Sequence, residues 1–594
     1  MRLRPKAESV AGNPRISHFD VCIIGSGAGG SAAACALTQA GRKVLILEMG
    51  DNRFLGLDDP DPKDLVPLHG NDEIKQHRGF LTPDTFLDPR TFRDTDAGPA
   101  TVFDDVNGIP KTVGGGAVHA DMKYPRFNEV DFRMRSALAA RPPAIEQPLT
   151  DTNFADWPFD YGEIEPFYTE AEQLTGVQGG DDSIEVDGSA VTLRDPFASA
   201  RSAPYPMPPG VPMYAGLLLA RAAVRSGYHP FAYPAAINSR PYGGRPPCVD
   251  CGYCSGYGCP NNAKGSPAVT TLRRALLTGR CQLRANSAVT RLVRTADGRA
   301  IAEAEYLDPR GRTRRIAADA FVLAAGAIES PRLCLLSDPG GSGLGNSSGQ
   351  VGRNYMAHHQ PQVVGIFAER VHGHRGRAVT HGMADFRGVN EGGTAITGVL
   401  AGVIEFQAGP PEPAFEVAIY ARDLPVAGPG RRRDLKSIMR SAPFRDHLVA
   451  LGMQAEDAPY LANRVDLDPA VRDVYGLPAA RLTYRTGAFE AAGQATYAPR
   501  MLEIMREAGA RYGFIVPALD GPPTTRHSMG TLRMGSDPTV SVTDRYGRFH
   551  DLDNLYCCDG SVFPTSSGYN PTLTIVAIGL RTGSHIAGNP ARAL

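Results

Sequence analysis

The chain has 594 residues, 42% of them hydrophobic and 21% charged, with 66 Gly and 49 Pro. This is the make-up of a soluble globular protein several domains long and rich in tight turns; it excludes a disordered chain, a collagen and a coiled coil. The 62 basic and 63 acidic residues nearly cancel, so no electrostatic footprint points to nucleic acid or an anionic membrane.

Residues 1–17 read as a loose polar tail. The run Met1 to Lys6 is basic, but Ala7 to Asp20 has no apolar core, so it does not read as a secretory signal. No apolar stretch reaches the ~18–20 residues of a membrane span. Ten Cys are too few for a disulfide scaffold, and a reducing cytoplasm is the default compartment.

Phe19 to Ile24 reads as a buried strand, and Gly25-Ser26-Gly27-Ala28-Gly29-Gly30 follows directly. Ser31 to Gln39 is Ala-rich and helical, Gly41 ends it, and Lys43 to Glu48 is a second strand. A strand, G-x-G-x-x-G, helix, strand and acid in this order form a dinucleotide site. Gly25 permits the tight turn, Gly27 lets a pyrophosphate approach the backbone, and Gly30 lets helix and strand pack closely. The helix N-terminus favours the phosphate charge, and Glu48 can accept from a ribose diol. The motif does not separate NAD from FAD; its place near the N-terminus of a long chain favours FAD.

Val113-Gly114-Gly115-Gly116-Ala117-Val118-His119 is a second glycine loop, followed by Pro125-Arg126-Phe127. Trp157-Pro158, Tyr161 and Glu165-Pro166-Phe167-Tyr168 come next. Cys248, Cys251, Cys254 and Cys259, the last followed by Pro260, form C-x2-C-x2-C-x4-C. Such spacing can gather thiolates at one centre, as in ferredoxin-type loops. Iron–sulfur, structural pairing, free thiols and, fitting less well, zinc all remain open there. Cys22, Cys35, Cys281 and Cys334 stand in apolar contexts as core thiols. Leu323-Ala324-Ala325-Gly326-Ala327 precedes Ser330-Pro331. His358, His359, His372 and His374 lie in Gly- and Arg-rich surroundings and read as solvated or pocket-wall residues, and Arg431-Arg432-Arg433 as a surface run.

His527-Ser528-Met529-Gly530-Thr531 opens the final region, followed by Cys558-Asp559-Gly560-Ser561 and Asn570-Pro571-Thr572-Leu573-Thr574, with a helical run from Ile575 to His585. Together with the earlier motifs, in this order, the chain resembles the glucose–methanol–choline (GMC) oxidoreductases. The likeness is to the branch holding pyranose oxidase and the glucoside and gluconate dehydrogenases. It covers residues 18 to 590, weakly near 360–510.

The resemblance implies an α/β, two-domain fold: a Rossmann-like FAD-binding domain of the p-hydroxybenzoate-hydroxylase type and a second, sheet-based substrate domain. The expected division is 18–360 for the first FAD part, with an inserted substrate segment near 155–235; 361–510 for the substrate domain; and 511–594 for the last FAD part. The Asp- and Pro-rich residues 51–110 match the loop that covers FAD. Gly114, Gly115, Gly116, Ala325 and Gly326 match flavin-contacting motifs, and Asp559 with Gly560 the ribityl pair. His119 matches a position that is a covalent flavin anchor in some relatives and a plain contact in others. In related dehydrogenases the region of the cysteine loop holds an iron–sulfur cluster serving a cytochrome.

His527 matches the family's base and Asn570 its partner. Neutral imidazole suits removal of an alcohol proton, because its pKa lies near working pH. A carboxamide can hold the alcohol oxygen without competing for that proton. Asn570 also fits a helix N-cap, with Pro571 at the first helical position and Thr572 after it. The helix dipole there would favour negative charge on the reduced flavin. The expected substrate is a small alcohol, a sugar, glycoside or polyol; a long-chain or steroid alcohol comes second and a lyase is remote. The electron acceptor, whether oxygen, quinone or a cytochrome, is not legible.

Overall fold

The computed structural model describes residues 19–67, 88–102, 110–252, 254–338, 340–373, 375–408, 445–519, 521–523 and 527–588. The tail 1–17, His374 and Arg431 to Arg433 lie outside them, as do parts of 51–110 and 360–510.

The first sheet is parallel. β1 (Phe19–Ile24) lies at its centre between β2 (Val44–Leu47) and the strand Ala318–Leu323, with Cys281–Arg284 and Leu555–Cys557 at the edges. Parallel strands covered on both faces need continuous apolar runs, and every residue of β2 is buried. The helix α1 (Ala28–Gln39) starts three residues before the sequence reading, at the glycine turn itself. It packs against the last helix, Thr572–Ile586, through nearly bare backbone. A Cβ on Gly579 would stand 2.5 Å from the Gly29 carbonyl oxygen, and one on Gly583 would stand 2.7 Å from that of Ala33.

The second sheet is antiparallel, in the order Tyr512–Val516, Gln362–Ile366, Leu448–Ala455, Gly402–Ala408, Val379–Met383 and Pro230–Ala232. Helices Tyr214–Arg225 and Ala488–Glu507 cover one face. Strand alternation sorts the side chains. Ile404, Phe406, Leu451 and Met453 join the core under those helices. Glu405, which alternates with them, and Gln454, opposite Val403, turn to the other face. The fold is thus a Rossmann-like α/β unit with a second sheet, as the sequence implies. Among the described residues no helix is long and apolar enough to cross a membrane.

Candidate active site

A cavity of about 560 Å³ runs between the two sheets, within the size range of small-molecule sites. Its near end is built by two glycine loops in contact. Gly25 adopts φ +104°, and a Cβ there would meet the Ala324 carbonyl oxygen at 2.4 Å. A Cβ on Gly30 would strike the Gly25 oxygen at 2.2 Å, which is the close strand–helix packing expected of this glycine. Gly27 differs: its Cβ would enter open space, with only the Gly115 Cα near, at 3.9 Å. The groove over Gly27 therefore exists because no side chain fills it.

Glu48 fastens these loops together. Its Oε2 accepts from the Ser26 amide at 2.9 Å and the Ser26 hydroxyl at 2.6 Å, and its Oε1 accepts from the Gly50 amide at 2.8 Å. Ser26 Oγ in turn accepts from the Gly114 amide at 3.0 Å. Burial outweighs these donors and raises the carboxyl pKa. A carboxylate has about four acceptor sites, so Glu48, with three bonds accepted, keeps one for a ribose hydroxyl besides its role as a staple. Asp559 is similar: its oxygens accept from the Gly326 amide at 2.9 Å, the Ser330 hydroxyl at 2.6 Å and the Ser561 amide at 2.8 Å.

The structure brings most of the expected residues into one cavity. Gly25, Gly27, Glu48, Gly115, Gly116 and His119 line it, as do Ala325, Gly326, Asp559, Gly560 and Thr572. His527 and Asn570 line it too. Gly30, Gly114 and Pro571 stand behind the lining. His119 is buried at the end of the short turn Gly115–Val118, and its carbonyl oxygen accepts from the Gly256 amide at 2.8 Å.

Asn570 is not a helix cap. Pro571 holds that position and no side chain caps the helix. The Asn570 carboxamide is drawn sideways instead: Oδ1 accepts from Tyr233 Oη at 2.8 Å, and Nδ2 donates to Glu405 Oε1 at 3.1 Å. Burial, reinforced by the Glu405 charge, holds the Tyr233 phenol far above its ordinary pKa, so it remains a donor. Glu405 Oε2 lies 2.7 Å from Lys123 Nζ and accepts from Gln454 Nε2 at 3.1 Å. Lys123 also pairs with Asp121 at 3.2 Å. Burial opposes the Lys123 ammonium, but the two carboxylates outweigh it and raise its pKa. Gln454 Oε1 is buried and has no partner among the described residues. Lys123, Asp121, Gln454 and Gln360 all line the cavity that holds His527 and Asn570, and Glu405 links Lys123 and Gln454 to Asn570, forming a polar wall.

Of the histidines read as solvated or pocket-wall residues, His358 and His359 are not solvated: both are buried. His358 packs edge-on against His527, with ring centroids 5.0 Å apart and the two Nδ1 atoms 2.9 Å apart. The sequence reading missed His358, Tyr233, Lys123, Glu405 and Gln454. For Glu405 and Gln454 a signal existed, since each is a polar residue inside an apolar strand run. Tyr233, Lys123 and His358 carry none.

Among the described residues the cysteine spacing is not gathered into a metal-holding group. Cys254 is buried, Cys248 and Cys259 are half-buried and Cys251 is exposed, all with free thiols. Among the described residues no group of three or more His, Cys, Asp or Glu is placed to hold a metal ion. The loop reverses at Asp250, Gly252 and Gly256, all with positive φ. It folds instead around the Lys264 ammonium, which donates to the carbonyls of Ala120, Cys254 and Tyr257 at 2.8–2.9 Å. Burial pushes the Cys248 thiol up to about 11 and that of Cys254 up to about 12. Cys22, Cys35 and Cys334 are buried core thiols as expected, and Cys281 is half-buried.

The residues fit FAD. The open groove over Gly27 at the start of α1 suits a pyrophosphate, whose charge the helix N-terminus favours. From there the same cavity leads past the second glycine loop to His527 and Asn570.

Comparison with known proteins agrees. Family profiles described as GMC oxidoreductase match residues 217–360 and 459–579, and a NAD(P)-binding Rossmann-like profile matches 23–57. The chain is 30% identical to the 2-methyl-1,2-propanediol dehydrogenase of Mycolicibacterium austroafricanum, over 96% of this chain and 95% of that protein. It is 28% identical to the gluconate 2-dehydrogenase flavoprotein of Pantoea cypripedii, over 96% and 94%. The crystal structure of pyridoxine 4-oxidase from Mesorbium loti shares the fold, with a TM-score of 0.59 at 17% identity over 97% of this chain and 100% of that one. The chain belongs to the GMC oxidoreductases, and it is an FAD-dependent oxidoreductase of alcohols or sugars.

Proposed function

We propose that the protein oxidises one CH–OH group of a sugar, glycoside or similar polyol to a carbonyl, with His527 as the base. One observation carries this reading: His527 and Asn570 share a cavity with the glycine cradle, beside a polar wall. When bound in the glycine cradle, FAD would supply the two-electron acceptor for the hydride of the carbinol carbon. The alcohol proton goes to the His527 imidazole. Asn570, held by Tyr233 and Glu405, keeps one amide hydrogen to hold the substrate oxygen.

The polar wall supports the substrate class. Gln454 lines the cavity and gives one amide hydrogen to Glu405, so with Lys123 and Asp121 it makes this part of the lining polar and suited to hydroxyls. Polyols offer several such hydroxyls beside the reacting one. Two relatives are named for gluconate and for a methylpropanediol, both with more than one oxygen function. A long-chain alcohol would bring this polar lining no hydroxyl besides the reacting one.

Stopped-flow reduction of the bound flavin tests the base. His527→Ala should slow reduction by a polyol at least ~100-fold, the low end for loss of general-base catalysis. An unchanged rate removes His527 from the mechanism.

A further inference from the structure

His358 lies behind His527, within a segment that is tied to it twice. Met356 and Met529 exchange two backbone hydrogen bonds, of 3.0 and 2.9 Å, and Tyr355 Oη stands 3.0 Å from Ser528 Oγ. The far nitrogen of His358, Nε2, lies 2.8 Å from the Ser567 carbonyl oxygen and 3.3 Å from that of Ser566. Carbonyl oxygens only accept, so His358 Nε2 must carry a hydrogen. Burial, partly opposed by those two carbonyls, lowers the His358 pKa to about 4, so the ring is neutral in the working range. A neutral imidazole with its hydrogen on Nε2 presents a lone pair at Nδ1. That lone pair faces His527 Nδ1 at 2.9 Å. Two lone pairs at this distance would repel, so His527 Nδ1 must donate.

We infer that His358 is a positioning residue that fixes the tautomer of His527: the His527 hydrogen sits on Nδ1, and Nε2 is the nitrogen that takes the alcohol proton. The inference rests on the reading of His527 as the base. The chain of direction starts at two backbone carbonyls, passes through a neutral imidazole and ends at the reacting nitrogen. The carbonyls are themselves held. Ser567 adopts φ +60°, and Ser566 Oγ accepts from the Asp457 amide at 2.9 Å. The arrangement performs with a neutral ring the task that a carboxylate performs for the histidine of a serine-protease triad. It adds no buried charge beside the base.

Two measurements on the FAD-bound protein test it. In 15N-histidine-labelled protein above the titration of His527, with its signals assigned by loss in His527→Ala, Nδ1 of His527 should be protonated and Nε2 not. The opposite pattern overturns the inference. His358→Leu, which cannot accept, should slow flavin reduction about 100-fold with little change in substrate KM; the wrong tautomer costs about 10⁴ in a serine protease. His358→Gln can donate to the Ser567 carbonyl and accept from His527 at once, and should recover at least ~10-fold of that loss. An unaltered rate in His358→Leu, or no recovery with Gln in a folded, FAD-bound variant, contradicts the proposal. Should His358→Leu not fold, the labelled wild type still decides. If His527→Ala reduces flavin at the wild-type rate, the base reading fails, while the 15N pattern still reports whether His358 sets the tautomer.

Discussion

His359 contrasts with the neighbour that orients the base. It is equally buried, yet neither ring nitrogen has a hydrogen-bond partner among the described residues, and burial lowers its pKa to about 3. An unfolded histidine takes a proton near pH 6.5, whereas the fold refuses it until about 3. Between those values the unfolded chain binds more protons, so stability falls as pH drops through that window and levels off below it. His359→Leu removes this liability. In urea unfolding, the variant's gain over wild type should be on the order of 2 kcal/mol larger at pH 5 than at pH 8. An equal gain at both values would contradict the titration argument. The same scale shows what the sequence could reveal. His527 and Asn570 were legible because each stands in a dense motif. The partners that orient them were not: Glu405 lies 165 positions from Asn570 and His358 lies 169 from His527. Asn570 next to Pro571 has the local features of a cap, but Tyr233 and Glu405 compete for the carboxamide and win.

At the scale of elements, the opening strand, turn and helix were readable because their constraints are local. Gly25, Gly30 and the acid at Glu48 all act within thirty residues. The start of α1 shifted only because glycines carry no hydrophobic pattern. The contact between α1 and the last helix depends on absent side chains. In Gly579→Val the new methyls meet the Gly29 carbonyl and Ala32 Cβ, which stand 2.5 and 2.9 Å from the added Cβ. Overpacking of this kind costs about 1–3 kcal/mol. The helices should separate, lowering both the urea midpoint and the FAD content of the purified protein; a variant unchanged in both would refute the account of this packing. The cysteine loop illustrates the reverse case. Its spacing left a metal centre, structural pairing and free thiols open, and the loop packs around Lys264 with three positive-φ residues, which the spacing does not encode.

Across the molecule, the cavity is lined by segments from both sheets: the dinucleotide turn, the second glycine loop, the strand end carrying Gln454, and the final region with His527 and Asn570. No periodicity in the sequence predicts such closure over hundreds of residues; only the ordered set of motifs, through its family likeness, implied it. The joined cavity offers cofactor and substrate one shared place, so the presence of one should be read out on the other. The most direct measurement is anaerobic titration of the FAD-bound protein with a panel of a neutral sugar, a sugar acid, a vicinal diol and a long-chain alcohol, following the flavin absorbance. At least one polyhydroxylated member should bleach the flavin with one equivalent per site, and the long-chain alcohol should not. A protein that holds no flavin, or whose flavin is bleached only by the long-chain alcohol, would contradict the account.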